Sequence, residues 1–236
     1  MEKIIKLENV SKIYKTGEKE YKALDNISLA INKGEFVVVL GPSGAGKSTL
    51  LNLIGGMDNV TTGEIIIDNK DISTYNEEQL TDFRAENIGF IFQFYNILPT
   101  LTALENVELV KDVVKNPIDA KTVLQGVGLE EHINKFPNQL SGGEQQRVSI
   151  ARAISKNPKI MLCDEPTGAL DSKTGVEILK LLKKQCNESN GSNTVLIVTH
   201  NSLLAEIADT VIRLKNGEIE SITKNENPKA INEVKW

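Results

Sequence analysis

The sequence predicts an α/β domain built around a mostly parallel sheet. Four short apolar runs rich in β-branched residues each end at a polar residue or a glycine-rich loop, which is the pattern of buried parallel strands. The runs are 37–40, 88–92, 160–163 and 195–199. The first run leads through a glycine-rich loop into a helical pattern. Because ligands collect at the carboxyl ends of the strands in open α/β sheets, we expect the four strand ends to converge on one site.

The length and composition of the chain limit the number of domains and the kinds of partner. Its 236 residues are enough for one sizeable α/β domain, and no Pro/Gly/Ser-rich linker divides them. The formal net charge is -5, and no block of Lys and Arg stands out. Nucleic-acid binders need a basic footprint for phosphate backbones, so we expect no DNA or RNA partner.

Other features of the sequence bear on where the chain works. Its longest apolar stretches, such as 36–40 and 195–198, are far shorter than the roughly 20 residues that cross a bilayer. The N-terminal residues lack the apolar core and cleavage site of a secretory signal. Cys163 and Cys186 match neither a disulfide framework nor a metal spacing, so both are expected to be reduced thiols. We predict a cytoplasmic protein with no membrane span.

Helical patterns lie between the predicted strands, and one long stretch is helical throughout. Helices are predicted near 47–53, 101–114, 143–154 and 176–184. The stretch from about 96 to 156 contains no strand-like run. It therefore predicts an α-helical subdomain inserted into the sheet.

Outside this insertion, short alternating patterns predict a small antiparallel sheet. Its strands are predicted at 4–10, 24–31 and 64–68, together with a hairpin of 211–214 and 218–219 around Asn216-Gly217. The C-terminal residues are polar and aperiodic, with Pro228 in their middle. We predict a single domain over 1–221 and a loosely held polar tail over 222–236.

A G-x-x-x-x-G-K-S phosphate loop directly follows the first apolar run. It consists of Gly41, Pro42, Ser43, Gly44, Ala45, Gly46, Lys47 and Ser48. The glycines of such a loop let backbone N–H groups curl around the β-phosphate, Lys47 neutralises the β/γ oxygens, and the Ser48 hydroxyl holds Mg²⁺. A chance match is the alternative, and the strand before the loop and the helix after it disfavour it. The loop predicts a nucleotide site with Mg²⁺.

Polar residues at the other strand ends complete the predicted catalytic site. Asp164 is predicted to hold Mg²⁺ through water and Glu165 to polarise the attacking water, although Glu165-Pro166 at the start of a helix is the alternative. Gln93 is predicted to reach the Mg²⁺ or the lytic water from the loop that leads into the insertion. His200 alone favours a core histidine, but beside three functional strand ends we favour a γ-phosphate sensor.

The sequence Leu140-Ser141-Gly142-Gly143-Glu144 allows two predictions that are compatible with each other. Ser141 with Glu144 three residues later is a capping box for the helix that follows. A helix start with two glycines also offers bare backbone N–H groups and the positive end of the helix dipole, which form an anion site. This site lies in the insertion, away from the phosphate loop of its own chain. We therefore predict that it binds the γ-phosphate held by a second copy.

In this fixed order, the motifs resemble the ATP-binding-cassette (ABC) ATPases, the motor subunits of membrane transporters. The resemblance covers about 1–221 and implies a RecA-like P-loop NTPase core with an ABC-type antiparallel β-subdomain and an inserted α-helical subdomain. It implies the Walker A loop at 41–48 with an ATP contact at Thr49, the Q-loop at Gln93, the signature at 140–144, the Walker B strand at 160–164, the D-loop at Asp171 and the H-loop at His200.

The resemblance also implies the ligands and partners of the chain. Tyr14 stands where the family has an aromatic side chain stacked on adenine, and an exposed tyrosine after a strand is the alternative. The implied ligands are ATP and Mg²⁺, with Ser48, Gln93 and Asp164 at the metal. The implied partners are a second copy, in an ATP-dependent head-to-tail homodimer, and a separate membrane permease that holds the chain at the inner face of the membrane.

Some segments resemble one branch of the family more closely. The segments 88–93, 101–107 and 164–171 are similar to the branch that serves macrolide exporters, lipoprotein-release complexes and antimicrobial-peptide resistance pumps. The resemblance implies export, extrusion or mechanotransmission of a peptide, lipoprotein or drug. Two residues depart from the family pattern, since Glu144 stands where Gln is commoner and Asn201 where Asp is frequent. Because a Glu facing a γ-phosphate is unfavourable, we expect Glu144 to turn back to the Ser141 backbone.

Two other classes of protein compete with this interpretation. A P-loop GTPase selects guanine with an N-K-x-D loop, but no Asn-Lys pair, at Asn32, Asn69 or Asn134, has Asp at the required place. A soluble ABC ATPase that acts in translation or DNA repair, without a membrane partner, is the other alternative. Such proteins usually have two cassettes in one chain or long coiled-coil insertions, and this sequence has neither.

The segment after Gln93 is the predicted link to the permease. Its apolar residues Phe94, Tyr95, Ile97 and Leu98 form a cluster that a soluble protein normally covers. We predict that this cluster receives a cytoplasmic helix of the permease. Packing against the helical insertion is the alternative.

Overall fold

Two sheets, with helices around them, make up the described part of the chain, which is residues 2–17, 19–188 and 193–234 of a computed structural model. The strands are β1 (Lys3–Thr16), β2 (Lys19–Asn32), β3 (Phe36–Leu40), β4 (Thr62–Ile67), β5 (Lys70–Asp71), β6 (Ile88–Ile91), β7 (Ile160–Asp164), β8 (Thr194–Thr199), β9 (Thr210–Lys215) and β10 (Glu218–Lys224). The α-helices are α1 (Lys47–Ile54), α2 (Glu77–Asn87), α3 (Ala103–Glu108), α4 (Ala120–Gly126), α5 (Gly142–Ser155) and α6 (Ser172–Glu188).

The larger sheet runs in the order β10, β9, β3, β8, β7, β6, and within the described residues only the β9–β10 pair is antiparallel. The four predicted parallel strands are therefore confirmed as β3, β6, β7 and β8. Their side chains alternate between two hydrophobic cores, one on each face of the sheet, so β3 and β8 are buried along their whole length. The register places Leu40 opposite Thr199 and Asp164 opposite Val198, which aligns the carboxyl ends of β3, β8 and β7 at one edge.

The hairpin of β9 and β10 belongs to this larger sheet, and the prediction that it joins the small antiparallel sheet is wrong. β9 pairs in parallel with β3, with Val38 opposite Val211, and β10 pairs only with β9 in the described residues. The antiparallel sheet is formed by β2, β1, β4 and β5 in that order. Alternating apolar residues indicate that one face of a strand is buried, but they do not specify its neighbour.

Between β6 and β7 the described residues form α3, α4, α5 and short 3₁₀ turns. The three helices pack on one another around an apolar core. Asn106 of α3 is fully buried and fixes the loop before this helix, because its Nδ2 donates to the carbonyls of Leu98, Leu101 and Thr102 and its Oδ1 accepts from the Leu98 N–H at 2.7 Å. The segment after Gln93 is thereby anchored to the helices.

The C-terminal segment packs on the domain up to residue 234, which corrects the prediction of a loosely held tail. β10 continues to Lys224, and a 3₁₀ turn at Ile231–Glu233 follows. Ile231 and Val234 are buried in the same core as α6, and the Lys229 ammonium lies 2.7 Å from Oε2 of Glu206. Two apolar side chains in a polar segment are enough to dock it, although they give no periodic signal.

Other expectations from the sequence concern the membrane and the cysteines. Within residues 2–17, 19–188 and 193–234, no helix combines the length and the apolar character needed to cross a bilayer. Cys163 and Cys186 are buried free thiols, as predicted. Burial raises the pKa of both thiols, for Cys186 to about 12, so neither is poised for thiolate chemistry.

Candidate nucleotide site

The phosphate loop begins directly after β3 and ends at the first residue of α1. Gly46 precedes the helix with φ 97°, a left-handed conformation, and a Cβ there would lie 2.5 Å from the Ala23 carbonyl oxygen. Only glycine fits this position. The Lys47 ammonium donates to the carbonyls of Gly41 at 2.8 Å and Pro42 at 2.9 Å. The lysine therefore lies across the loop, with its ammonium group held by two carbonyl groups of the loop.

The tip of the loop is open to solvent, whereas its base is fixed. Ser43 and Gly44 are exposed. Ala45 is buried, and its carbonyl accepts from the Gly217 N–H at 3.1 Å, which ties the loop to the β9–β10 turn. The Tyr21 hydroxyl donates to the Gly44 carbonyl at 3.3 Å. The backbone N–H groups of the tip are thus presented on a supported loop, as a phosphate cradle requires.

Ser48 and Asp164 come together behind the loop. The Ser48 hydroxyl in the first turn of α1 lies close to the Asp164 carboxylate at the end of β7. Burial is the largest influence on the pKa of Asp164 and raises it above its ordinary range. The nearby Ser48 hydroxyl opposes this shift, and the nearby Glu165 charge adds to it. A hydroxyl and a carboxylate are the oxygen donors that Mg²⁺ prefers. A cation would also offset the cost of burying this carboxylate, so the pair fits the metal.

Glu165 is held firmly by the end of β8. Its backbone is left-handed, with φ 47°, and its N–H donates to the Val198 carbonyl at 3.0 Å. Its Oε2 accepts from the Thr199 hydroxyl at 2.8 Å, and its Oε1 accepts from the His200 N–H at 2.9 Å. Oε1 also lies 2.8 Å from His200 Nδ1. Glu165 therefore does not begin a helix, and its carboxylate belongs to the strand-end site.

His200 is exposed, and the alternative of a core histidine is wrong. Its side chain is 72% accessible, while that of Glu165 is 16% accessible. Nδ1 faces Glu165, and Nε2 has no hydrogen-bond partner among the described residues. The ring is therefore fixed at one nitrogen and free at the other, which suits a contact with a bound ligand.

Gln93 is exposed on the loop after β6 and makes no hydrogen bond within the described residues. Its Nε2 lies 3.4 Å from the position that a Cβ on Gly168 would take, next to the loop that follows Glu165. The structure thus places Gln93 beside the Glu165 loop, and no hydrogen bond joins it to Ser48 or Asp164.

Tyr14 lies against the helix that follows the phosphate loop. Its hydroxyl donates to Asp58 Oδ2 at 2.8 Å and also lies close to the Thr49 side chain, which works to lower its pKa. The Lys12 ammonium is 4.9 Å from the centroid of its ring. Burial is the largest cause that raises the pKa of Tyr14, and the Asp58 bond raises it further. Tyr14 and Thr49 are therefore neighbours at the phosphate-loop helix, with the tyrosine 37% exposed.

Ser141 and Glu144 form the predicted capping box at the start of α5. The Ser141 N–H donates to Glu144 Oε2 at 2.6 Å, and the Glu144 N–H donates to Ser141 Oγ at 3.3 Å. This confirms that Glu144 turns back to the Ser141 backbone. Partial burial works to raise the pKa of Glu144, but the bonds from Ser141 and the neighbouring His132 hold it below its usual range.

The two signature glycines are crowded by residues of their own chain. A Cβ on Gly142 would lie 2.7 Å from the Tyr95 hydroxyl, and one on Gly143 would lie 2.3 Å from Thr174 Cγ2. No hydrogen bond in the described residues joins 141–144 to 41–48. The signature segment and the phosphate loop therefore remain separate in one copy of the chain.

Asp171 caps α6. Its Oδ1 accepts from the Thr174 N–H at 3.1 Å, and its Oδ2 accepts from the Thr174 hydroxyl at 2.7 Å. The hydroxyl bond is the largest cause that lowers the pKa of Asp171. The carboxylate thus fixes Thr174, which in turn packs against Gly143.

Sequence reasoning assigned no role to some residues that the structure places at this site. Thr199 contacts Glu165 directly, and Gln146 of α5 is fully buried with its Nε2 donating to the Pro166 carbonyl at 3.0 Å. Both contacts join segments that are far apart in the chain, so no local sequence pattern predicts them. The Gln146 bond ties the signature helix to the loop after Glu165.

A strand, a glycine-rich loop and a helix in this order, with the Ser48 hydroxyl and the Asp164 carboxylate close to Lys47, define a P-loop nucleoside triphosphatase. Comparison with known proteins gives the family. Residues 24–168 match the family profile described as ABC transporter, and the chain belongs to that family as its ATP-binding domain, an ATPase. The sequence-based resemblance to ABC ATPases, and to the branch that includes macrolide exporters, is confirmed.

Individual relatives support the assignment over nearly the full chain. The ABC transporter ATP-binding protein MJ0796 of Methanocaldococcus jannaschii is 50% identical over 226 residues, which are 92% of this chain and 95% of that protein. A dimeric structure of MJ0796 in a post-hydrolysis state bound to ADP and Pi superposes with a TM-score of 0.85 at 47% identity, over 93% of this chain and 98% of that one. The macrolide export ATP-binding/permease protein MacB of Brucella melitensis is 41% identical over 93% of this chain, but over 34% of its own length.

Proposed function

We propose that this chain powers a separate membrane permease by Mg²⁺-dependent ATP hydrolysis in a head-to-tail homodimer. The observation that supports this most strongly is the division of the site. The phosphate loop, Asp164 and Glu165 meet at one sheet edge, whereas the N-terminus of α5 makes no hydrogen bond to that loop in its own copy. A second copy related by two-fold symmetry would supply the missing half to each site. The related MJ0796 has been solved as a dimer.

Metal binding is assigned to Ser48 and Asp164, with Gln93 as the third group. The hydroxyl–carboxylate pair fits Mg²⁺ for the reasons given above, and the exposed Gln93 side chain is free to turn toward it. When bound, Mg²⁺ would be held by these groups and would neutralise charge on the phosphates during transfer. Lys47 would exchange the Gly41 and Pro42 carbonyls for phosphate oxygens.

Glu165 is assigned to the lytic water and His200 to the γ-phosphate. Glu165 is fixed by contacts from Thr199 at the end of β8 and from the N–H and ring of His200 just after it, so its carboxylate is pre-organised to accept a proton from water or to orient it. Because Nδ1 of His200 faces Glu165, its Nε2 would contact the γ-phosphate. Tyr14 beside Thr49 would stack on adenine, with Lys12 on its ring.

The permease would dock on the segment after Gln93. Phe94 and Leu98 are 76% and 47% exposed, whereas Ile97 packs into the core and Tyr95 covers Gly142. Phe94 and Leu98 are therefore the free members of the predicted cluster. Tyr95 links this segment to the signature helix, which gives the docking site a route to the site of the second copy.

A neighbouring cavity suggests the chemistry of the permease segment. This cavity of about 230 Å³ is apolar except for Arg152 and Lys156 and is lined mainly by Phe90, Phe92, Leu109, Val110 and Val113. Arg152 has no carboxylate partner among the described residues, and Lys156 donates only to carbonyls there. An amphipathic segment with apolar residues and a carboxylate would complement both features. MacB is named as a macrolide export protein, and by analogy with it and with the branch that this sequence resembles, the transported class is an exported drug, peptide or lipoprotein.

Intermolecular cross-linking tests the head-to-tail arrangement. Ser43→Cys in one preparation and Ser141→Cys in another place thiols on the phosphate loop and the signature, at residues that are both exposed. Mixing the two should give a disulfide-linked dimer only when ATP is present. The native cysteines are buried and provide the background, measured with the unmodified chain. Absence of the cross-link with ATP, or equal cross-linking without it, would contradict the arrangement.

A further inference from the structure

We propose that Thr199 is a positioning residue for ATP hydrolysis, because its hydroxyl sets the orientation of the Glu165 carboxylate. The inference rests on the proposed role of Glu165. Thr199 is the last residue of β8, next to the end of β7, and is 2% exposed. Because Thr199 is buried under Glu165, we expect it to act through Glu165 and not by direct contact with solvent or nucleotide.

The hydroxyl of Thr199 has a fixed direction. Its Oγ1 accepts from the Asn201 N–H at 3.1 Å and donates to Glu165 Oε2 at 2.8 Å. A hydroxyl has one proton, and the incoming bond from Asn201 occupies an acceptor position of the same oxygen. The proton of Thr199 is therefore directed at Glu165. The turn after β8 enforces this direction, because Asn201 also caps the following 3₁₀ turn through its bond from the Leu203 N–H at 3.0 Å.

The hydrogen bond from Thr199 determines which acceptor positions of the Glu165 carboxylate remain available to a water molecule. Oε1 is engaged by the N–H and the ring of His200, whereas Oε2 receives only Thr199 in the described residues. Each carboxylate oxygen accepts two hydrogen bonds, so the open position on Oε2 is the one available to a water molecule. The terminal torsion of Glu is broad when it is unrestrained. Without the Thr199 hydroxyl, the direction of this position is no longer fixed.

Steady-state ATP hydrolysis tests the role with four variants. Thr199→Val and Thr199→Ala remove the hydroxyl, Thr199→Ser retains it, and Glu165→Gln tests the group on which it acts. We expect the first two to lower kcat by about 10-fold to 100-fold with little change in the KM for ATP, because orientation and not nucleotide binding is lost. Thr199→Ser should stay within about threefold of the unmodified chain. Binding of an ATP analogue identifies the variants that fold. If Thr199→Val does not fold, Thr199→Ala alone tests the loss of the hydroxyl.

The outcomes separate the two levels of the proposal. If Glu165→Gln turns over normally, the proposed role of Glu165 fails. If Glu165→Gln is slow but Thr199→Val and Thr199→Ala keep or exceed the normal kcat, the role of Thr199 is overturned. It is also overturned if Thr199→Ser and Thr199→Ala are slow while Thr199→Val, which keeps the methyl group, is not, since methyl packing would then be responsible. Adding Thr199→Val to Glu165→Gln should cause no further loss, and a multiplicative loss would mean that the hydroxyl acts independently of Glu165.

Discussion

The hydroxyl of Ser48 lies close to the carboxylate of Asp164 and lowers its pKa, so the first turn of α1 meets the end of β7. This approach places the end of the phosphate loop beside the strand that leads to Glu165. It also brings two hard oxygen donors together where the terminal phosphates of a nucleotide would lie.

Asp164→Asn should weaken the binding of Mg²⁺ more than the binding of nucleotide. The amide keeps the shape of the side chain but removes the charge that a cation would offset. We expect the Mg²⁺ concentration for half-maximal hydrolysis to rise by about tenfold or more. Hydrolysis measured against Mg²⁺ concentration, with Asp112→Asn as an exposed control, tests this. An unchanged Mg²⁺ dependence would remove Asp164 from the metal site.

Glu165→Gln and Lys47→Ala should affect different steps. Glu165→Gln should slow turnover by about 10²-fold to 10⁴-fold and leave ATP binding intact, because only the group that activates water is lost. Lys47→Ala should weaken binding itself, since the charge that faces the β/γ-phosphates is removed. Equilibrium binding of a fluorescent ATP analogue distinguishes them. Weak binding in Glu165→Gln would contradict the division of roles.

Local patterns in the sequence predicted most of the site. The phosphate loop, Asp164 and the Ser141–Glu144 capping box each depend on residues within a few positions of one another, and the structure places them as expected or forms the predicted bond. The contact of Thr199 with Glu165 spans 34 positions and exists only because β7 pairs with β8. The catalytic roles of the site residues remain predictions.

Weak or polar patterns account for the parts of the fold that sequence reasoning missed. α2 (Glu77–Asn87) is polar and buries chiefly Leu80 and Phe83, so it has little hydrophobic periodicity, although the capping box of Asn76 and Gln79 marks its start. The position of β9 beside β3 depends on long-range pairing, which the alternation of four residues does not encode.

Phe94→Ala and Leu98→Ala should uncouple the permease from the ATPase. Both side chains are largely exposed, so their loss should leave basal hydrolysis intact and reduce stimulation by the permease in lipid vesicles by about fivefold or more. Ile222→Ala, at an exposed apolar position on β10, is the matched control and should retain stimulation. A parallel fall in basal and stimulated rates would mean that the segment is structural.

Lys156 should make the stability of the chain depend on pH above neutrality. Burial, with the charges of Arg84 and Arg152, lowers the pKa of Lys156 to about 8. Between this value and the ordinary lysine range, the unfolded chain holds a proton that the folded chain does not, so the free energy of unfolding rises with pH. From pH 7.5 to 9.5, we expect the unmodified chain to gain about 1 to 2 kcal/mol relative to Lys156→Met.

Urea unfolding at the two pH values measures this difference. Lys180→Met, at an exposed lysine of α6, controls for the loss of a positive charge and should leave the pH dependence unchanged. Equal pH dependence in Lys156→Met and the unmodified chain would contradict the lowered pKa.

Light scattering on Glu165→Gln with and without Mg²⁺ and ATP tests the central claim most directly. Slow hydrolysis should trap the closed state, so the molar mass should change from that of one chain to that of two when ATP is added. Adding Ser141→Arg to Glu165→Gln places a bulky side chain at the signature and should keep the protein monomeric while it still binds ATP. A single-chain mass of Glu165→Gln in both conditions, or an ATP-induced dimer that tolerates Ser141→Arg, would contradict the account.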